Sequence, residues 1–215
     1  MASNRQAFYE LDDFPRLAAI ADAWPAMHAE FSRLDAPIMP INRQGKSHET
    51  VVREVVQHVS SGHTYGWMHG WGMDGPNRDW MQYGLVAGGK AVPWAVSTMP
   101  ETVRLLASTT GVQTAALSWL RKHTLLSTHT HPELERERLL QMHVTLTETD
   151  ERNYAYFNVA GEFRHYSSRN AFVFDGSNDH FAVNASSTDR VILYLEFKRD
   201  ALYEPATARQ AAGVQ

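Results

Sequence analysis

The sequence predicts a mainly β fold with flanking α-helices, on three observations. From about Val112 onward, short runs rich in β-branched and aromatic residues follow one another: LSWLRKHTLL, LLQMHVTL, NYAYFNV, NAFVFDG, HFAVNA and RVILYLEF. Polar or glycine-bearing turns separate them, which points to an antiparallel β-sandwich or barrel core over about residues 80–200. Ahead of it, over about residues 1–110, apolar residues recur mainly at helical spacing. The 215 residues contain no internal repeat or low-complexity segment and are enough to bury a sizeable core, so one domain over 1–215 is expected.

The elements follow in order. In DFPRLAAIADAWPAMHAEFSRL, Phe14, Leu17, Ile20, Ala21, Trp24, Met27, Phe31 and Leu34 form one apolar face, and Pro25 is expected to kink or split the helix. In SHETVVREVVQHVSSG, Ser47 is placed to cap a helix whose buried face is Val51, Val52, Val55, Val56 and Val59, with Gly62 just past its end. TYGWMHGWGMDGPNRDWMQYGLV reads as an irregular loop running into a strand near Trp80–Val86. Its residues Trp67, Trp71 and Trp80 either anchor the loop or, with Arg121, line a pocket. STMPETVRLLAST carries a capping-box pattern, with Thr98 at the cap, Pro100 in the first turn and Glu101 three residues after Thr98. TARQAAGVQ, Thr207 to Gln215, reads as a loose tail.

Composition removes several function classes. The chain has no cysteine, which excludes thiolate metal sites, disulfides and cysteine nucleophiles, so any metal must be held by His, Asp or Glu. A net charge of -4 with interspersed signs provides no basic stripe, and no nucleic-acid partner is expected. No apolar run is long enough to span a bilayer, and no membrane partner is expected either. The start MASNRQAFYELDD lacks the basic and apolar parts of a secretory signal, so a cytoplasmic location is expected.

The chemistry concentrates in histidines. His129 and His131, in STHTHPELERE, sit where a strand gives way to a charged loop, and alternation directs both to one side if the chain stays extended. His180 follows the turn DGSND at the start of another strand. In a rolled-up β-sandwich distant strands line one cavity, so an HxH pair plus a distant His can occupy one face of a metal ion. Among 11 histidines a close pair also arises by chance, and spacing alone leaves surface residues as the other reading. His28, His48, His58, His63, His69, His123 and His165 carry no such pattern and are read as surface or satisfied core residues.

The run LSWLRKHTLLSTHTHPELERERLLQMHVTL, followed by FVFDGSNDHFAVNASSTDRVILYLEF, resembles the aspartyl/asparaginyl β-hydroxylase family of iron(II)- and 2-oxoglutarate-dependent oxygenases, related to free-proline hydroxylases. The resemblance covers roughly Trp80 to Phe197. It implies a double-stranded β-helix core (jelly roll, cupin-like), iron(II) as metal and 2-oxoglutarate as cosubstrate. Leu120, Thr124 and His129 match the family's LxxxTxxxxH frame, which implies His129 as the first ligand. Phe174, Asp175, Ser177 and His180 match FDxSxxH, which implies His180 as the second, and the two as the catalytic pair. Ten positions on, Arg190 matches the arginine that pairs with the distal carboxylate of 2-oxoglutarate. Ser118 matches a serine reaching the same carboxylate, and His143, in QMHVTL, matches a histidine that helps hold the cosubstrate.

Two residues depart from the pattern. Most such oxygenases have HxD and the β-hydroxylases have glycine at that place, but this chain has His131, which becomes a third metal ligand or leaves its place to water. A shifted frame, with His131 and Glu133 as an HxE pair, ranks lower because Pro132 disturbs an extended run. Gln141 stands where some β-hydroxylases have an arginine near the cosubstrate. The implied activity is hydroxylation of an unactivated C–H bond in a small amino-acid-like or peptidyl substrate, with release of succinate and CO2. Two other readings stand beside it: a cupin-type three-His metalloenzyme, dioxygenase or isomerase, that does not use 2-oxoglutarate, and a non-catalytic β-sandwich binding module.

Overall fold

In the computed structural model, which describes residues 6–148 and 154–205, alternation along the long strands sorts the molecule into two apolar layers. The tail expected from Thr207 lies outside the described residues. In chain order the elements are β1 (Phe8–Tyr9), α1 (Pro15–Asp22), α2 (Trp24–Phe31), β2 (Ile38–Asn42), α3 (His48–Ser60), β3 (Trp67–Gly70), β4 (Asn77–Ala87), β5 (Lys90–Ala91), α4 (Pro93–Val96) and α5 (Pro100–Ser108). There follow β6 (Val112–Leu120), β7 (Thr124–His129), α6 (Pro132–Glu137), β8 (Leu139–Thr145), β9 (Ala155–Val159), β10 (Glu162–His165), β11 (Ala171–Phe174), β12 (His180–Asn184), β13 (Arg190–Lys198) and α7 (Arg199–Leu202). A nine-stranded sheet runs β1-β11-β8-β13-β6-β4-β3-β2 with β5 on β4, and a four-stranded sheet runs β10-β9-β12-β7.

The pleat decides what each layer holds. On β13, Val191, Leu193, Leu195 and Phe197 point to one side of the large sheet. They meet Leu140, Met142 and Val144 of β8, Ala115 and Leu117 of β6, and Met81, Tyr83 and Leu85 of β4. Phe14, Leu17, Ile20, Trp24 and Met27 of the amino-terminal helical segment pack in this same cluster. Fully burying each such leucine or isoleucine contributes about 1.5–3 kcal/mol. The other face turns Trp80, Leu120, Phe172, Phe174 and Ile192 toward Phe157, Val159 and Ala182 of the small sheet, closing a jelly roll as expected. Arg190, Tyr194 and Glu196 share that inner parity on β13, as do Gln141 and His143 on β8 and Ser118 on β6, so polar chemistry is placed between the sheets.

One expectation about the helices holds and three are modified. The helix over residues 14–34 splits at Ala23, with Pro25 inside the first turn of α2, where its missing N–H costs no bond. The amino-terminal third contributes more strand than its helical periodicity announces: β1 pairs β11, and β2 and β3 extend the large sheet. Ser47 caps α3 as read, accepting from the Thr50 amide at 3.2 Å, but only Val51 and Val55 are buried, while Val52 and Val56 are 42% and 44% exposed. The capping box at Thr98 does not form, because its hydroxyl donates to Ala95 O at 3.1 Å and shares a 2.8 Å bond with Tyr83. Glu30, from α2, takes that role: its buried carboxylate accepts from the Glu101 and Thr102 amides at 2.8 and 2.9 Å and from the Thr102 hydroxyl at 2.6 Å. Among the described residues no helix is long and apolar enough to cross a membrane.

Candidate metal centre

His129 closes β7 and His180 opens β12, and the two are register partners across the antiparallel pair. The DGSND turn aims His180: Asp175 accepts from the Ser177 amide at 2.9 Å and the Ser177 hydroxyl at 2.6 Å, and Asn178 donates back to Asp175 O. His131 does not continue the strand. It is the cap residue of α6, tied by its amide to Gly176 O at 3.0 Å, and Pro132 starts the helix where a charged loop was expected.

The three imidazoles converge, with one nitrogen from each lying within 4.8 Å of the others. Their outer nitrogens are spent. His129 Nδ1 meets Ser127 O at 2.7 Å and His180 Nδ1 meets Asn178 O at 2.9 Å. Carbonyls only accept, so Nδ1 carries the proton in both rings and the Nε2 lone pair is left for a metal. His131 Nδ1 meets Glu133 Oε1 at 3.0 Å, so the carboxylate that a shifted HxE frame would make a ligand instead orients His131. Burial, then the neighbouring His129 and His131, lower His180 to about 3. Burial also lowers His129, with His131 adding to it against the Ser127 carbonyl. Three imidazoles converging on one point are a donor set that suits a borderline divalent cation such as iron(II).

Beside this cluster, Arg190 is only 5% exposed, and its Nε and Nη1 have no hydrogen-bond partner among the described residues. Its guanidinium lies 4.1 Å over the Tyr166 ring and bonds the Tyr166 oxygen. Since the guanidinium can only donate, the phenol proton goes to His143 Nδ1, 2.9 Å away, which leaves His143 with Nε2–H as a donor. Burial, then Arg190 and His180, hold His143 well below the usual imidazole range, so it is neutral. Ser118 Oγ accepts from Trp80 Nε1 at 2.9 Å, which frees its own proton. A buried cation with two free donors, a neutral N–H and a hydroxyl proton therefore line one cavity, and that set fits a carboxylate.

The cavity, about 820 Å³, takes in all six residues singled out in the sequence, namely Ser118, His129, His131, His143, His180 and Arg190. Trp71 and Trp80 line it as well, with the Trp71 ring 4.8 Å from that of His129. Trp67 does not; it packs against Tyr83 and Trp119 on the helix side. Arg121 is exposed over Trp119. Sequence reasoning missed Arg43, Gln82, Tyr166, Tyr194 and Glu196, and read His48 as having no site role. Arg43 bonds Gln82 Oε1, Tyr194 donates to Glu196, and Gln141 Nε2 donates to the Tyr194 oxygen at 2.6 Å. The inner-face parity of β13 was the available signal for Tyr194 and Glu196, since both are even-numbered like Arg190.

Several solved structures superpose on part of the chain. An oxidoreductase of the 2OG-Fe(II) oxygenase family from Burkholderia pseudomallei matches at 9% identity and a TM-score of 0.40, covering 60% of this chain and 74% of that one. The cupin domain of an XRE family transcriptional regulator from Enterobacter cloacae matches at 16% and 0.37, covering 56% and 97%. KdgF from Halomonas sp. matches at 16% and 0.36, covering 56% and 80%. No curated protein matches the sequence. The family model for aspartyl/asparaginyl beta-hydroxylase matches residues 21–200, which take in every strand but β1, the three histidines and Arg190, and the chain belongs to that family.

Proposed function

We propose that the protein is an iron(II)- and 2-oxoglutarate-dependent hydroxylase of an unactivated C–H bond in a small amino-acid-like or peptidyl substrate. The observation that carries this reading is the pairing, in one cavity, of the converged imidazoles of His129, His131 and His180 with the buried, under-bonded guanidinium of Arg190. When bound, iron(II) with 2-oxoglutarate and dioxygen supplies the oxidation, in which the cosubstrate becomes succinate and CO2 and the substrate C–H becomes C–OH.

The chain's own residues supply ligation, orientation and shelter. His129, His131 and His180 hold the metal through the nitrogens left free by Ser127 O, Glu133 and Asn178 O. Arg190 takes the distal carboxylate through the guanidinium donors that no described residue occupies, and Ser118 adds a further donor. His143 gives its Nε2–H to the cosubstrate and stays in that tautomer because Tyr166 holds Nδ1. Phe157, Phe174 and Ile192 wall the inner face and keep water from the reacting groups.

The third imidazole also suits a three-His metalloenzyme that does not use 2-oxoglutarate. Such an enzyme has no use for a buried cation with two free donors, whose burial is costly without an anion. Anaerobic reconstitution with iron(II), followed by addition of 2-oxoglutarate, oxygen and candidate substrates, decides between them. Substrate-stimulated succinate release is expected, and its absence at full iron loading, with oxidation of a substrate still proceeding, would favour the three-His alternative.

A further inference from the structure

The cavity is larger than its cosubstrate. At about 30 Å³ per water-sized atom, a dicarboxylate of ten heavy atoms takes roughly 300 Å³, and the cavity holds about 820 Å³. Arg190 and Glu196 are six residues apart on β13, about 20 Å at roughly 3.3 Å per residue. The Glu196 end of the cavity is therefore separate from the Arg190 end.

Two charges of opposite sign face this second end. Arg43, just past β2, is held by Gln82, and Glu196 is held by the Tyr194 hydroxyl. Among the described residues neither belongs to an ion pair, with each other or with any third group. Both act electrostatically on Tyr194 and on His48, so they border one space. That space reaches the metal centre by direct contacts. Tyr194 accepts from Gln141, Gln141 packs so closely on Gly176 that a Cβ there would lie 1.9 Å from Gln141 Oε1, and Gly176 O accepts from the His131 amide. The wall also carries His48, Lys90, Glu133 and Glu137, and its apolar part includes Val52 and Val56 of α3, with 42% and 44% of their surface uncovered, together with Val92 and Trp94.

A ligand of one sign would leave one of these charges without a partner, whereas a ligand bearing both signs serves each. Resting on the oxygenase reading, we propose that Arg43 and Glu196 are the carboxylate- and ammonium-binding poles of the primary-substrate site. The substrate is then a free zwitterion of the amino-acid class whose apolar side group packs on Val52 and Val56. A residue inside a peptide chain has neither end group, so this assignment selects the free compound over the peptidyl one.

The test is calorimetric titration, under anaerobic conditions with iron(II) and 2-oxoglutarate, of the twenty common free amino acids and of the N-acetyl and carboxamide forms of those that bind. At least one free amino acid with an apolar side chain is expected to bind, and capping either end should weaken it roughly 10- to 100-fold. Glu196→Gln keeps the acceptor for Tyr194 and should erase the penalty of the acetyl cap while keeping that of the amide. Arg43→Gln should do the reverse. Val56→Ser should weaken the apolar ligand relative to alanine, and matched unfolding midpoints establish that the variants fold. Equal binding of free and capped forms, binding of none of the twenty, or variants that change both penalties alike would overturn the assignment. Succinate measured after admitting oxygen to the same samples separates the two readings. The capping pattern without succinate keeps the zwitterion site and removes the oxygenase, and succinate driven only by capped or peptidyl compounds does the opposite.

Discussion

Arg190 and Tyr166 are bound twice over: the guanidinium lies 4.1 Å from the ring centroid and donates to the phenol oxygen, while two of its other nitrogens have no partner among the described residues. A buried cation held only in part favours function over stability. Arg190→Met should therefore raise the unfolding midpoint of the metal- and cosubstrate-free protein, or leave it unchanged, because it replaces an under-bonded charge by an apolar chain. The same change should weaken 2-oxoglutarate binding on the order of 2 to 4 kcal/mol, or roughly 30- to 1000-fold. Lys should rescue little, since it offers a point charge in place of a fork. Denaturant titration and 2-oxoglutarate calorimetry on one preparation check both halves, and an unchanged 2-oxoglutarate affinity would refute the pairing.

The three imidazoles differ in how firmly they are held. His129→Ala or His180→Ala removes a ring fixed by a backbone carbonyl and should abolish stoichiometric iron(II) binding. His131→Asp should retain it, because a carboxylate is an accepted donor at that place. Glu133→Ala leaves His131 without its orienting partner and should weaken iron(II) about 10-fold, the lower end of such effects because Glu133 is half-exposed. Competition with a coloured chelator ranks the four variants. Wild-type affinity in the Glu133 variant would show that the α6 backbone alone positions His131.

The metal-free protein should lose stability as pH falls through the mildly acidic range. His180 titrates near 3 in the folded chain against about 6.5 when unfolded, so below 6.5 the unfolded state binds the extra proton and folding weakens. For His180 alone the loss is about 2 kcal/mol by pH 5, and it levels off only once pH passes below the folded value. His143, also depressed and chiefly by burial, adds a loss of the same sign. Chemical denaturation at pH 7.5, 6 and 5 measures the slope, and His180→Gln should flatten it. A pH-independent midpoint in this window would contradict the burial of neutral rings.

Glu30 is a cap supplied from another helix. Glu30→Ala leaves two amides of the first turn of α5 and the Thr102 hydroxyl without their acceptor in a buried setting, and it should cost about 2 to 3 kcal/mol. Thr98→Ala should cost less, through its bond to Tyr83. Thermal unfolding of the two variants reverses the order that the sequence pattern alone would assign.

The comparison at Thr98 shows where sequence reading stops. Strands β8, β11, β12 and β13 were legible because alternation and turn residues are local, and His129, His180 and Arg190 because their frames lie within short runs. The helix at Pro100 was legible too, but not its cap, since Glu30 lies 71 residues from Glu101. The same holds for Arg43 and Glu196, which face one cavity only after β2 and β13 are rolled around it. Val52 and Val56 extend an apolar stripe that looks like core, and only the packing of α3 shows that they are left partly uncovered. Strands β1, β2 and β3 went unread, β3 inside a stretch that reads as an irregular loop, because they are short and draw their pairing from other segments.

Strand β13 separates two kinds of mutational freedom by parity. Its odd positions from Val191 to Phe197 hold the sheet to the helices, while its even positions from Arg190 to Glu196 look into the cavity. A library confined to residues 192, 194 and 196 would thus vary what the cavity accepts while leaving the helix-facing core intact. Loss of a single residue between 190 and 197 would instead rotate every side chain beyond it to the opposite face, exchanging charge for core in one step. Substitutions in this strand can retune the enzyme gradually, but insertions and deletions offer no graded path.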